Sequence, residues 1–84
     1  MKIIFSDHAE ETMSKRGATR EEAEEAIAKG TWRTAKLNRK EAHLIFPYNT
    51  IWNSIRYAYK QVNPIFIQED DIITVITVYV FYSN

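Results

Sequence analysis

The chain has no cysteine, which excludes both a disulfide framework and a thiolate metal site. Two histidines, His8 and His43, are too few for a histidine-rich metal cluster. No apolar run approaches the roughly 20 residues that a membrane-spanning helix needs. The opening Met1-Lys2-Ile3-Ile4-Phe5 is too short for a signal peptide before acidic residues begin, so a cytoplasmic protein is expected, with no cofactor, metal or membrane partner. Repeats, low-complexity segments and linkers are also missing. Basic residues are absent from 61–84, which carry three acidic ones. Residues 31–60 hold six basic side chains and one acidic, and residues 1–30 hold five and seven. Net charge is zero, so total charge gives no argument for nucleic acid, whereas the basic middle does.

What is present fits one small globular domain, 84 residues with 45% hydrophobic side chains. The run Ile72 to Tyr82 is β-branched and aromatic, without Gly, Pro or charge, and predicts a strand in the middle of a sheet. Strict alternation puts Ile72, Thr74, Ile76, Val78, Val80 and Tyr82 on an aliphatic face beneath the helices. Ile73, Val75, Thr77, Tyr79 and Phe81 then take the other face.

Lys2 to Phe5 reads as a short strand or extended lead-in. Ser6 is an N-cap for a helix over Asp7–Arg16, with Gly17 as its C-terminal stop. Ala9 and Met13 form its core stripe, and His8, Thr12 and Arg16 recur every four residues as an adjacent polar one. Thr19-Arg20-Glu21-Glu22 has the capping-box pattern and opens a second helix over Arg20–Lys29, which Gly30 ends. From Thr31 the period becomes two. Strands are predicted over Trp32–Leu37, Glu41–Phe46 and Ile55–Val62, with a turn at Asn38-Arg39-Lys40 and a loop over Pro47–Ser54 that exposes Trp52. Asn63-Pro64 marks a bulge, bend or edge. The fold class is α+β, two N-terminal helices packed on a four-stranded, mainly antiparallel meander.

The segments His8-Ala9, Met13-Ser14-Lys15-Arg16-Gly17 leading into the acidic second helix, Arg56-Tyr57-Ala58-Tyr59-Lys60 and Val75-Ile76-Thr77-Val78-Tyr79 span nearly the whole chain. In this order they resemble a small bacterial family of unassigned function placed near the RelE and BrnT ribonuclease toxins. An arginine commonly precedes the methionine in that family, where this chain has Thr12. The resemblance implies a RelE-like fold, action on RNA and an antitoxin partner.

Metal-free RNA cleavage uses the substrate 2′-hydroxyl as nucleophile, so the protein supplies a base, an acid and cations for the phosphate. Histidine is the side chain type suited to acid–base work near neutral pH, which makes His8 the candidate acid–base group. Lys60 and Tyr79 complete the candidate catalytic set. Arg16, eight residues after His8 on nearly the same helical face, Arg56, four residues before Lys60, Thr77 and Trp52 are candidate substrate contacts. The competing reading is a non-catalytic module of the same fold that binds RNA or protein through its sheet face or edge, or forms a homodimer.

Overall fold

In a computed structural model that describes residues 1–84, the order of elements is β1 (Lys2–Phe5), α1 (Asp7–Arg16), α2 (Arg20–Lys29), β2 (Thr31–Thr34), β3 (Lys40–Trp52), β4 (Ile55–Glu69) and β5 (Ile72–Ser83). The class is α+β, with two helices and one five-stranded mixed sheet in the order β1-β5-β4-β3-β2. The expected count of four strands is one short. Lys2–Phe5 pairs in parallel with Ile72–Val75, and every other pairing is antiparallel. A four-residue segment carries too little periodicity to announce a partner some 70 residues away.

Both helices begin and end where their capping chemistry places them. Ser6 Oγ accepts from Ala9 N at 3.0 Å, and Gly17 (φ 80°) closes α1 with its N–H on the Met13 carbonyl at 2.9 Å. In α2, Thr19 and Glu22 bond reciprocally as a capping box. Ala9, Met13, Ala23 and Ile27 pack on Ala42, Val62, Phe66, Ile73, Val75 and Val78 in one core cluster. Alanines at the helix contacts permit close approach. Phe66 contributes the largest fully buried side chain.

The centre of the sheet is β4, and β5 stands beside it. β5 also breaks the expected alternation. Its ladder with β4 shifts between Ile65 and Phe66, leaving Ile76 as an extra residue opposite them. Such a bulge flips the side-chain order. Ile73 and Val75 are buried before it and Val78 after it, with Val80 packed against the core beyond. The helix-facing set is therefore Ile73, Val75, Val78, Val80 and Tyr82, not one unbroken row of even positions. Thr77, Tyr79 and Phe81 lie on the opposite, open face.

Three further boundaries differ from the sequence pattern. β2 stops at Thr34, because Leu37 and Asn38 adopt left-handed backbone (φ 61° and 60°) and Ala35 N bonds the Arg39 carbonyl at 2.7 Å. Pro47–Ser54 is mostly strand. β3 runs to Trp52, a bulge at Tyr48–Asn49 (Asn49 φ 52°) absorbs the irregularity, and the turn is Asn53-Ser54, both at positive φ as a tight hairpin requires. Pro47 fits because β2 pairs with β3 only as far as His43, so β3 is an edge beyond it. Pro64, by contrast, sits fully buried inside the central strand, where Ala42 and His43 are left out of the β3–β4 register.

β1 covers only the first part of β5, and α1 covers the next. Ser6 Oγ donates to the Ile76 carbonyl at 3.1 Å, Val78 N donates to Thr12 Oγ1 at 3.2 Å, and Arg16 Nη1 donates to the Val78 carbonyl at 2.7 Å. Thr12 is accordingly buried. The N-cap Ser6 and two polar side chains of α1 thus stand in for a neighbouring strand. Unpaired edges invite association, and this arrangement covers the edge of β5 as far as Val78.

Candidate nucleic-acid interface

The candidate residues divide between the two faces of the sheet. Lys60 lies on the helix side, where its Nζ bonds the Gly17 carbonyl and Glu22 Oε2, both at 2.9 Å, with the Tyr48 ring 5.1 Å away. Only 6% of it is exposed. Trp52 is not a free loop residue. Its ring stacks on Tyr82 (centroids 5.1 Å, planes 16° apart), and both rings lie against Gly17. Tyr82 donates to the Arg16 carbonyl at 2.8 Å, with Tyr48 and Tyr57 close to its ring. This aromatic and ionic knot locks the end of α1 to the tail of the sheet.

Burial, followed by the nearby Tyr48 and Glu22, pushes the Tyr82 hydroxyl up to about 12 from an ordinary value of 10.0. A group raised on folding stabilises fully below its unfolded value and loses that contribution as pH climbs toward its folded one. Stability is therefore expected to fall between about pH 10 and 12. Chemical denaturation across that range should show a shallower alkaline decline in Tyr82→Phe than in wild type.

On the open face the register aligns side chains in rows. Arg33, Glu41, Ile65 and Thr77 form one, Ile45, Gln61 and Phe81 another, and Tyr59 stands opposite Ser83, with Tyr79 beside Asn63. Tyr79 and Phe81, two residues apart, are about 7 Å from each other, and Tyr59 is the diagonal neighbour of Phe81. Their exposures of 44%, 53% and 47% make an accessible aromatic platform, bordered by Ile45 at 56%. Between the rings runs a chain of hydrogen bonds. Gln61 Nε2 donates to Asn63 Oδ1 at 3.0 Å, Asn63 Nδ2 to Glu41 Oε2 at 3.0 Å, and Arg33 Nε to Glu41 Oε1 at 2.7 Å. Burial pushes the Glu41 carboxyl up, but the hydrogen bonds from Arg33 and Asn63 and the charges of Arg33 and His43 outweigh it and hold it below the usual carboxylate value. The carboxylate in these rows thus stays ionised, paired with Arg33 and held by Asn63.

Arg16 reaches the same face from the side. Bonded to the Val78 carbonyl, its guanidinium stands 5.0 Å from the Tyr79 ring centroid. His8 is exposed in the first turn of α1 and makes no side-chain hydrogen bond. Eight residues place it about 12 Å along the helix from Arg16. Arg56 is exposed near the β3–β4 turn, about 13 Å along the strand from Lys60. The structure therefore gathers Arg16, Thr77 and Tyr79 and leaves His8, Arg56, Lys60 and Trp52 apart from them. The sequence singles out neither Phe81 nor Arg33, although Phe81 follows Tyr79 at the period of a strand face. No three His, Asp or Glu side chains converge as metal ligands would, and no helix is long and apolar enough to cross a membrane. Comparison with known protein families, curated proteins and solved structures finds no match.

Proposed function

We propose that this chain binds single-stranded RNA on the open face of its sheet, as an RNA-binding relative of the RelE-like toxins. The observation that carries this reading is the exposed platform of Tyr59, Tyr79 and Phe81 with the Arg16 guanidinium at its margin. Unpaired bases stack on such rings, and cations beside them hold phosphates. Stacking is worth about 1–3 kcal/mol per base, so Tyr79→Ala and Phe81→Ala are each expected to weaken a fluorescently labelled RNA oligonucleotide by roughly 5- to 150-fold. Both side chains are exposed, so the fold should survive their removal. Unchanged affinity in both folded variants would sink the reading.

Cleavage through the substrate 2′-hydroxyl is the second reading. Favouring it is the exposed imidazole of His8, unbonded, on the helix that presents Arg16 to Tyr79. Incubation of RNA with the protein in chelator should then yield products with wild type and none with His8→Ala or with a 2′-deoxy scissile position. A cognate antitoxin belongs to this reading alone. Intact RNA after wild-type incubation removes the cleavage and leaves the binding untouched.

A further inference from the structure

At the far edge of the sheet from Tyr79, a shallow groove of about 150 Å³ is lined by Trp32, Arg33, Thr34 and Lys40. Its floor is fixed. Trp32 Nε1 donates to the Ile27 carbonyl at 2.8 Å, and the indole meets Phe66 edge-on at 4.9 Å. Lys40 Nζ lies 5.3 Å from the indole centroid, and its other contact, Gln68 Oε1 at 3.5 Å, is at the limit of a hydrogen bond. Arg33 is oriented by Glu41 through Nε, and its terminal nitrogens make no hydrogen bond. Thr34 adds a hydroxyl. Residues 31–40 contain Arg33, Lys36, Arg39 and Lys40 and no carboxylate.

We infer that this groove is a phosphate site, and that it holds the backbone of the RNA whose bases meet the open face. The second half of this inference rests on the RNA reading above. The chemistry selects the ligand. Two cations and a hydroxyl around one strand edge, Lys40 and Thr34 on the helix side and Arg33 on the open side, suit an oxyanion. A guanidinium held at Nε still offers its outer N–H groups to phosphate oxygens. Size narrows it further. Pockets for whole small molecules run to roughly 300–1,000 Å³, so this groove takes one group and leaves the rest of the molecule outside. Position links it to the platform. Arg33 shares its open-face row with Thr77, three strand spacings or about 14 Å across the sheet, whereas Trp32, Thr34 and Lys40 alternate to the helix side. A strand of RNA crossing the open face therefore meets Arg33 and reaches Lys40 by turning over the β2 edge.

Two measurements separate the groove from the platform. In Trp52→Phe, Trp32 is the remaining tryptophan, and its fluorescence is titrated with inorganic pyrophosphate. A saturable change, abolished by adding Lys40→Gln, is expected. In parallel, RNA affinity is measured against salt for wild type and Arg33→Gln/Lys40→Gln. Each phosphate contact on a single strand contributes about 0.7 to the slope of log affinity against log salt, so the double variant should be flatter by roughly 1.4. An unchanged slope, with RNA still bound, overturns the groove and leaves the platform intact. If wild type binds no RNA, the functional reading fails, and pyrophosphate alone decides the groove. No response at Trp32 then overturns the phosphate site as well. Pyrophosphate bound in the groove with no effect of the double variant on RNA identifies a site for free phosphates and overturns the RNA half.

Discussion

Lys60→Ala is expected to destabilise the fold by about 2–3 kcal/mol while leaving the RNA affinity of the folded protein unchanged. Removing one member of a buried ion pair costs about 3–5 kcal/mol because the other charge is stranded. The Glu22 side chain keeps 22% exposure, which places this pair at or below the lower end. Three attachments fail together: the Gly17 carbonyl loses its donor, Glu22 its counter-ion and Tyr48 its cation. For a domain of this size the melting temperature should drop by roughly 10–20 °C. Glu22 also caps α2 through its other oxygen, which receives the Thr19 N–H at 2.9 Å. The double variant Lys60→Met with Glu22→Gln keeps the cap, removes both charges and should recover much of the loss. Thermal and urea unfolding check the stability, and RNA titration checks the function. Unaltered stability with a lost ligand would return Lys60 to the binding machinery.

Gly17→Ala should be comparably damaging, at about 2–4 kcal/mol, for two separable reasons. A side chain at φ 80° costs roughly 1–2 kcal/mol in left-handed backbone. The added Cβ would also stand 2.6 Å from Tyr82 Oη and 2.7 Å from Trp52 Cζ3. Those rings cannot both retreat without breaking their stack and the bond from Tyr82 to the Arg16 carbonyl. Introducing Tyr82→Phe into the Gly17→Ala background removes the nearest atom. The two changes together should therefore cost less than the sum of their separate losses, by 0.5 kcal/mol or more. Additive losses would show that backbone strain alone accounts for the glycine. Near-ultraviolet circular dichroism, which senses the Trp52–Tyr82 stack, reports the displacement directly.

Which parts of this molecule are legible in its sequence follows from how local the deciding physics is. Ser6, Gly17, Thr19 with Glu22, and Gly30 mark the helices because capping involves residues only a few positions apart. The strand alternation is local too, until a bulge adds a residue. Ile76 is chemically like its neighbours, so nothing in ITVITV announces where the period slips. The turn at Asn53-Ser54 is hidden by a stretch rich in turn formers, which draws attention to Pro47 instead. Lys60 illustrates the deeper limit. As a basic residue among aromatics it resembles a ligand contact, and only the approach of the Gly17 carbonyl and Glu22, from 43 and 38 positions away, gives it another occupation. The open face was half visible. Thr77 and Tyr79 stand out by composition, whereas Phe81, Tyr59 and Arg33 join them through register.

The hydrogen bonds from Ser6, Thr12 and Arg16 to Ile76 and Val78 also bear on how the chain reaches its fold. They join positions 62 to 70 residues apart, and the pairing of Lys2–Phe5 with Ile72–Val75 does the same. The long β3–β4 hairpin is assembled from nearby residues, so it can form early and serve as a template. β5 must then dock before β1 and α1 have anything to close upon. Loops of that length are slow to shut, because their entropy is lost before any contact compensates for it. Until α1 arrives, the edge of β5 around Ile76 to Val78 stays open to any other extended chain. Refolding yield should consequently decline with protein concentration, a kinetic hazard that ends when the first helix settles onto the last strand.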